Sequence, residues 1–187
     1  MDELTSLARA AGRGDRDALA RFVRQTQGDV WRFCAHLVDP AAADDLAQET
    51  YLRAIPALGR FRGDAQARTW LLAIARRVCA AEFGVRTRDR ELAVRLAAMP
   101  TAGLGQPPPG PDTQTTVDLL LAALDADRRA AFILTQLLGC SYAEAAAVCG
   151  CPIGTIRSRV ARAREDLDVM LRDPAEHRRT ASGSSQL

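Results

Sequence analysis

The stretch "GCPIGTIRSRVARARE", residues 150 to 165, sets Arg157, Arg159, Arg162 and Arg164 within eight residues, among small and apolar side chains. On a helix, Thr155, Ser158, Arg159 and Arg162 recur at i, i+3, i+4 and i+7 and share one face, with Arg157 and Arg164 on its flanks. No acid interrupts the window from Ile153 to Arg164, and Asp125, Asp127, Glu165, Asp166 and Asp168 lie outside it. A guanidinium can fork onto guanine O6 and N7, and Thr and Ser hydroxyls can bond phosphates or base edges. The pattern therefore suits a helix lying in the major groove of duplex DNA. A solvated amphipathic helix is the competing reading of the same charges.

Residue types that catalyse reactions or hold metals do not assemble. Cys140, Cys149 and Cys151 lie close along the chain, but without the paired C-x-x-C spacing of structural zinc sites. A free cysteine behaves as a small hydrophobe, which is the expected role of all three. Redox or metal sensing is the alternative. His36 and His177 are isolated from them, and neither supports a ligand set or a catalytic dyad. There is no Gly-rich phosphate loop, nucleophile elbow or acid pair. The chain is expected to be no enzyme and to use no metal or cofactor.

A binding helix needs a frame. "SYAEAAAVCG" and the segment from about Ile153 read as a short helix and a longer one across a Gly-Cys-Pro corner, the parts of a helix-turn-helix. Ala145 and Ala146 are small where the helices must cross, and Cys149, Cys151, Ile156 and Val160 are apolar where the unit faces its core. The predicted buried stripe of the second helix is Ile153, Ile156, Val160, Leu167 and Met170 or Leu171. Ahead of this pair, Val117, Leu120, Leu121 and Leu124 begin a short helix. Phe132, Ile133 and Leu137 lie on the next, with Gly139 as its stop.

Further back, "MPTAGLGQPPPGPDTQT", residues 99 to 115, has too much Pro and Gly for a helix and too few apolar residues for a core. It reads as a semi-rigid spacer of about 3.1 Å per residue. The part before it is helical again. One helix spans about 17 to 38 with Leu19, Phe22, Val23, Val30, Phe33, Cys34 and Leu37, ended by Asp39 and Pro40. A second spans about 44 to 58 with Leu46, Leu52 and Ile55 on its apolar side. A third spans about 67 to 83 with Trp70, Leu71, Ile74, Ala75 and Val78. A short N-terminal helix precedes these, and no stretch alternates as a strand would. The expected fold is all-α, with two small helical domains at 1–98 and 115–172, a Pro/Gly-rich linker at 99–114 and a polar, disordered tail at 173–187.

Composition sets limits. A formal net charge of +2 over 187 residues implies no partner by itself, so the position of charge matters more than its sum. No apolar run approaches the roughly 20 residues of a membrane span, and the N-terminal residues lack the apolar core of a signal peptide. A cytoplasmic protein with no membrane contact is expected. Five cysteines, an odd count, argue for reduced thiols there.

The segment from Phe61 to Arg90 holds Arg62, Arg68, Arg76, Arg77, Arg86, Arg88 and Arg90 against Asp64, Glu82 and Asp89, with Phe61, Trp70 and Phe83 among them. Basic groups beside rings suit single-stranded DNA, whose bases stack while arginines hold phosphates. Trp70 is equally suited to the core. The helix from Asp44 to Ala54 sets Asp45, Gln48 and Glu49 on one side. A solvated face with acids favoured at a helix N-terminus accounts for the carboxylates alone.

With these residues in place, "LGCSYAEAAAVCGCPIGTIRSRVARARE" closely resembles the C-terminal domain of the extracytoplasmic-function sigma factors of bacterial RNA polymerase. "DDLAQETYLRA", residues 44 to 54, resembles the family's polymerase-binding helix, and "FRGDAQARTWLLAIARRV", residues 61 to 78, the stretch that reads the downstream promoter element. The resemblance covers nearly the whole chain apart from linker and tail. It implies an alternative sigma factor that directs core polymerase to specific promoters and initiates transcription. A stand-alone helix-turn-helix regulator is the alternative, and an interaction protein governed by thiol oxidation a third.

By resemblance, Thr155, Arg157, Ser158, Arg159 and Arg162 read the upstream promoter element as duplex. Phe61, Arg62, Trp70, Arg76, Arg77, Arg86 and Arg88 bind the downstream element as single strand, with a base captured near the "FRGD" loop. Asp45, Gln48, Glu49, Leu52 and Arg53 bind polymerase. The implied partners are core RNA polymerase, promoter DNA and, as in many relatives, an anti-sigma factor; packing of the two domains on each other is the other way to hold such a protein inactive. The chain departs from the family pattern at Arg77, Ala81 and Gly84, where Asn, an acid and a basic residue are common. Gly84 is also expected to weaken the end of its helix by about 1 kcal/mol relative to Ala.

Overall fold

A computed structural model describes residues 2–97 and 116–172, with side chains in the 67–97 helix described as far as Gly84. These residues fall into two compact units, divided between Gln114 and Thr115. The predicted linker and tail lie outside the described residues. All regular structure among the described residues is helical.

The N-terminal unit contains α1 (Glu3–Gly12), α2 (Arg16–Leu37), α3 (Ala43–Ala57) and α4 (Ala67–Ala97). Short polar caps start α1 and α2. Asp2 accepts the Thr5 amide at 2.9 Å and the Thr5 hydroxyl at 2.7 Å, and Asp15 accepts the Ala18 amide at 2.9 Å. The hydroxyl of Thr5, first among the causes, holds the Asp2 carboxyl below the ordinary carboxylate range. Asp39 caps a single 3₁₀ turn, Pro40–Ala42, between α2 and α3, so the Asp-Pro pair ends one helix and launches the next.

The core of this unit is the inward stripe of α2 (Phe22, Val30, Phe33, Leu37) against Leu46 and Ala54 of α3 and Leu71, Leu72, Ala75 and Val78 of α4. Two buried threonines join it. Thr50 returns its hydroxyl to the Leu46 carbonyl at 2.7 Å, and Thr26 does the same to Phe22 at 2.8 Å, so neither hydroxyl is left unsatisfied. The buried side of α3 is thus Ala43, Leu46, Thr50 and Ala54, and the expectation for Leu52 and Ile55 is corrected: they are 61% and 41% exposed on the opposite side. The expected end of α4 near Phe83 is also corrected, because the helix continues through Gly84 to Ala97.

The C-terminal unit contains α5 (Thr116–Ala122), α6 (Ala126–Phe132) continued by a π-type turn (Ile133–Leu137), α7 (Tyr142–Cys149) and α8 (Ile153–Arg172). Its core is Leu121, Leu124, Ala131, Ile133, Leu134, Ala145, Ile156, Val160 and Ala163. Val117 and Leu137 are exposed rather than core. Buried Arg129 donates Nη2 to the carbonyls of Ala122 and Leu124 at 2.5 and 3.0 Å, which holds the end of α5. Burial pulls its pKa below that of an ordinary guanidinium.

One close approach fixes the N-terminal unit. A Cβ placed on Gly12 would sit 2.3 Å from the Leu58 carbonyl oxygen, a backbone atom with no freedom to retreat. Gly12→Ala is expected to destabilise the unit by about 1–3 kcal/mol through overpacking, read as a lowered denaturant midpoint at unchanged m-value.

Candidate nucleic-acid interface

The frame of the arginine helix is built locally. Ser141 accepts the Glu144 amide at 3.2 Å, while Glu144 accepts the Ser141 amide at 2.7 Å, a complete capping box on α7. Gly150 ends α7 in the left-handed region, φ 64° and ψ 37°, where a Cβ would be strained. Cys151 and Pro152 complete the corner, and α8 starts at Ile153.

On α8 the buried seam is Ile156, Val160 and Ala163, with Leu167 and Met170 half-buried beyond it. Ile153 is exposed, a correction to the predicted stripe, and of the alternatives Met170 and Leu171 it is Met170 that turns inward. Ile153 is the first residue of the helix, ahead of the seam, and Ala163 completes the seam where its small size concealed it in the sequence. Opposite the seam, Arg157, Ser158 and Arg162 are exposed and Thr155 is half-buried. Ser158 bonds the Thr155 carbonyl at 2.9 Å. Arg164 donates to Gln136 at 2.7 Å. Arg159 is different: it pairs with Asp127 of α6 and places Nη1 3.6 Å from Cys151 Sγ.

In the N-terminal unit, Phe61 and Trp70 come together with ring centroids 5.0 Å apart and planes at 43°, both half-buried. Trp70 is thus neither fully buried nor fully exposed. The "FRGD" loop turns at Gly63, φ +84°, against Thr5 and Arg9 of α1. The Ala67 amide donates to Thr5 Oγ1 at 2.9 Å, tying the start of α4 to α1. Arg62 and Arg77 are exposed and Arg76 half-exposed; Arg77 Nε returns to its own helix at the Ala73 carbonyl. Arg68 pairs with Asp29 at 2.6 Å, and Asp29 also receives Arg32 at 2.6 Å. The side chains of Arg86 and Arg88 lie outside the described residues.

The outward side of α3 carries Asp45, Gln48, Glu49, Leu52 and Ile55 at helical spacing. Glu49 and Arg53 pair at 2.6 Å across one turn. Beside this side runs a groove of about 560 Å³ between α2 and α3, lined by Val23, Gly28, Trp31, Ala47, Gln48 and Tyr51 among others. Trp31, 39% exposed, donates its indole N–H to Asp44 at 2.9 Å. Sequence reasoning missed it. The usable signal is that Val23, Gln27 and Trp31 form an i, i+4 row beside the core stripe, which leaves a tryptophan at the edge of the core.

The cysteines also pair differently from their order in the chain. Cys34 and Cys79, on α2 and α4, are buried with sulfurs 3.7 Å apart, and the neighbouring thiol together with burial pushes Cys79 far up. Cys140 and Cys149 are buried; Cys151 is half-exposed. Among the described residues no three His, Cys, Asp or Glu side chains converge as a metal site would require, and no helix is long and apolar enough to cross a membrane.

One unit holds a helix-turn-helix and the other a helical bundle with an acidic outward helix, the two parts that the resemblance to sigma factors implies. The family models agree: Sigma-70 region 2 matches residues 22–89 and Sigma-70 region 4 matches residues 114–167. The "ECF RNA polymerase sigma factor SigC" of Mycobacterium tuberculosis is 51% identical over 169 residues, covering 89% of this chain and 90% of that protein. The "ECF RNA polymerase sigma factor EcfG" of Rhodopseudomonas palustris is 39% identical over 132 residues, 69% of this chain and 71% of its own. Among solved structures, the sigma factor RpoE of Bartonella quintana, in complex with the anti-sigma factor NepR, aligns with TM-score 0.65 at 31% identity, over 82% of this chain and 96% of that one. CnrH, in complex with the cytosolic domain of CnrY, aligns with TM-score 0.66 at 27% identity, over 91% and 97%. The chain belongs to the extracytoplasmic-function sigma factors of RNA polymerase, and is an alternative sigma factor.

The groove between α2 and α3 contains a titratable link. Thr26 has a single hydroxyl proton, given to Phe22, so the Tyr51 hydroxyl donates to Thr26 Oγ1 at 2.7 Å. Burial raises the Tyr51 pKa. A phenol raised in the fold contributes stability fully below its unfolded value of about 10, and loses it as pH rises through the folded value. The native unit is therefore expected to lose stability above about pH 10, with a flatter alkaline limb in Tyr51→Phe, followed by urea midpoints against pH. An identical limb in the variant would remove Tyr51 as the cause.

Proposed function

We propose that α3 recruits core polymerase, α8 reads an upstream promoter element as duplex, and the 61–90 segment holds a downstream element as single strand. The domain serving polymerase and strand opening is residues 1–98, and the one serving the duplex is 115–172, joined by the linker at 99–114. The observation that carries this reading is the division of α8 into a buried seam and an opposite exposed face bearing Arg157, Ser158 and Arg162.

The roles follow from chemistry. Arg157 and Arg162 fork onto base edges or phosphates, with Thr155 and Ser158 supplying short hydroxyl contacts. The accessible sides of Phe61 and Trp70 offer a stacking platform, and Arg62, Arg76, Arg77, Arg86 and Arg88 draw the phosphates of the separated strand past it. Asp45 and Glu49 accept guanidinium forks from polymerase, Gln48 fixes orientation, Leu52 is covered on docking, and Arg53 is released from its exposed pair with Glu49, worth only about 0.3–0.5 kcal/mol.

The chain performs no bond chemistry. Strand opening comes from preferential binding to the melted state, which shifts a DNA equilibrium by the difference in affinity for its two forms. It acts in the cytoplasm, where polymerase and promoters are. RpoE and CnrH were solved with NepR and CnrY, and that likeness supports an inhibitory anti-sigma protein as a further partner here.

Reconstituted transcription with purified core enzyme, on promoters recovered by mapping bound sites in cells, tests the whole reading; failure to stimulate initiation on any of them rejects it. Glu49→Arg should abolish that transcription while leaving the melting temperature unchanged, as a surface charge reversal away from the core. Unimpaired transcription by this variant would remove α3 as the docking helix. Arg162→Ala should cost about 1–3 kcal/mol and relax preference at one base position if it reads a base. If it meets phosphate alone, binding should weaken uniformly and the salt slope fall by about one.

A further inference from the structure

Two carboxylate–guanidinium pairs cross from α6 to α8. Arg128 meets Asp166 at 2.7 Å, and Asp127 receives Nη2 of Arg159. The other terminal nitrogen of Arg159 faces the Cys151 sulfur at 3.6 Å, in the corner of the helix-turn-helix. Arg159 is thereby held from two sides, and its side chain is only 23% exposed, while Arg157 and Arg162 stand exposed on the same helix. Asp127 is itself placed by its neighbour: its amide donates to the Asp125 cap at 3.0 Å. The backbone that carries this carboxylate is thus anchored at the start of α6, beside α8.

A guanidinium next to duplex DNA attracts phosphates of any sequence, because each neutralised phosphate releases counterions irrespective of the bases. An arginine already matched with an internal carboxylate must give that partner up first. We propose that Asp127 is a specificity-determining residue acting through Arg159. By holding this guanidinium it withholds one positive charge of α8 from the phosphates of arbitrary duplex and leaves selection to Arg157, Ser158 and Arg162. The inference rests on the reading of α8 as the duplex-reading helix.

The test compares holoenzymes, formed from core polymerase with the full wild-type or Asp127→Asn chain, on two duplexes. One is a promoter recovered by mapping in cells, and the other is the same duplex with its upstream element scrambled. The core enzyme contributes equally to both holoenzymes, so differences belong to the substitution. Asp127→Asn should bind the scrambled duplex about three- to tenfold tighter and the promoter within about twofold of wild type, so the discrimination ratio falls. Its plot of log K against log salt should steepen by about 0.9, one more phosphate neutralised, and Asp127→Asn with Arg159→Ala should return the slope to that of Arg159→Ala alone. Asp127→Glu should retain wild-type discrimination.

An unchanged ratio and slope in Asp127→Asn, with wild type still discriminating, overturns this inference and leaves the reading of α8 standing. Equal loss on both duplexes with a lowered melting temperature also overturns it, since the pair is then only a strut between α6 and α8. A wild-type holoenzyme that does not distinguish the duplexes removes the reading of α8 and this inference with it.

Discussion

The seam of Ile156, Val160 and Ala163 is the constraint on which the C-terminal unit depends. These three side chains are the means by which α8 packs on α6 and α7, and each is almost wholly buried. A helix period of 3.6 leaves one rotation of α8 that buries them, and that rotation also turns Arg157, Ser158 and Arg162 outward. The apolar seam and the polar face are therefore one decision. Gly150 and the Ser141–Glu144 box set the entry angle, but neither would hold the rotation without the seam. Replacing a seam residue would disturb the exposed face of Arg157, Ser158 and Arg162 without touching a polar atom.

A count of basic residues overstates the positive field each unit offers. The 61–90 segment has an excess of arginine in the sequence, yet Arg68 is matched by Asp29, which Arg32 also meets, from α2. The α8 window has no acid, yet Arg159 is matched by Asp127 from α6. In both cases the carboxylate comes from another helix, more than thirty residues away in the chain, and screening within the window cannot detect it. What remains outward is a smaller set of guanidiniums at defined positions. Fewer uncompensated charges mean weaker attraction to arbitrary duplex and a larger share of the binding energy for base edges.

The architecture was legible because the signals that carry it are local. Asp39-Pro40, the Ser141–Glu144 box and Gly150 mark boundaries through side-chain chemistry within a few residues, and the helical rows of Phe22, Val30 and Phe33 or of Leu71, Ala75 and Val78 repeat without interruption. The register of α3 was not legible. Its buried row runs through Thr50, whose hydroxyl is satisfied by its own helix, so a polar residue stands where a pattern search expects an apolar one, and Leu52 and Ile55 mislead by being apolar and outward. The closeness of Cys34 to Cys79 and the contact at Gly12 were hidden for another reason: both depend on elements that meet only in the folded unit.

Leu52 and Ile55 also bear on how α3 meets a partner. Surface leucines scattered singly require no explanation, but here they continue the row of Asp45, Gln48 and Glu49 on a helix whose opposite row is fully buried. The helix is rigid before any partner arrives, since Ala43, Leu46, Thr50 and Ala54 hold it to the core. Docking on such a surface orders few side chains and no backbone, which keeps the entropic cost of association low. On the proposed docking of α3, the carboxylates supply orientation and rate of encounter, and Leu52 and Ile55, once covered, supply much of the affinity. A partner that matched the charges but offered no apolar surface would find α3 quickly and leave it quickly, which is how a helix with acids on one row can remain selective in a cell full of basic surfaces.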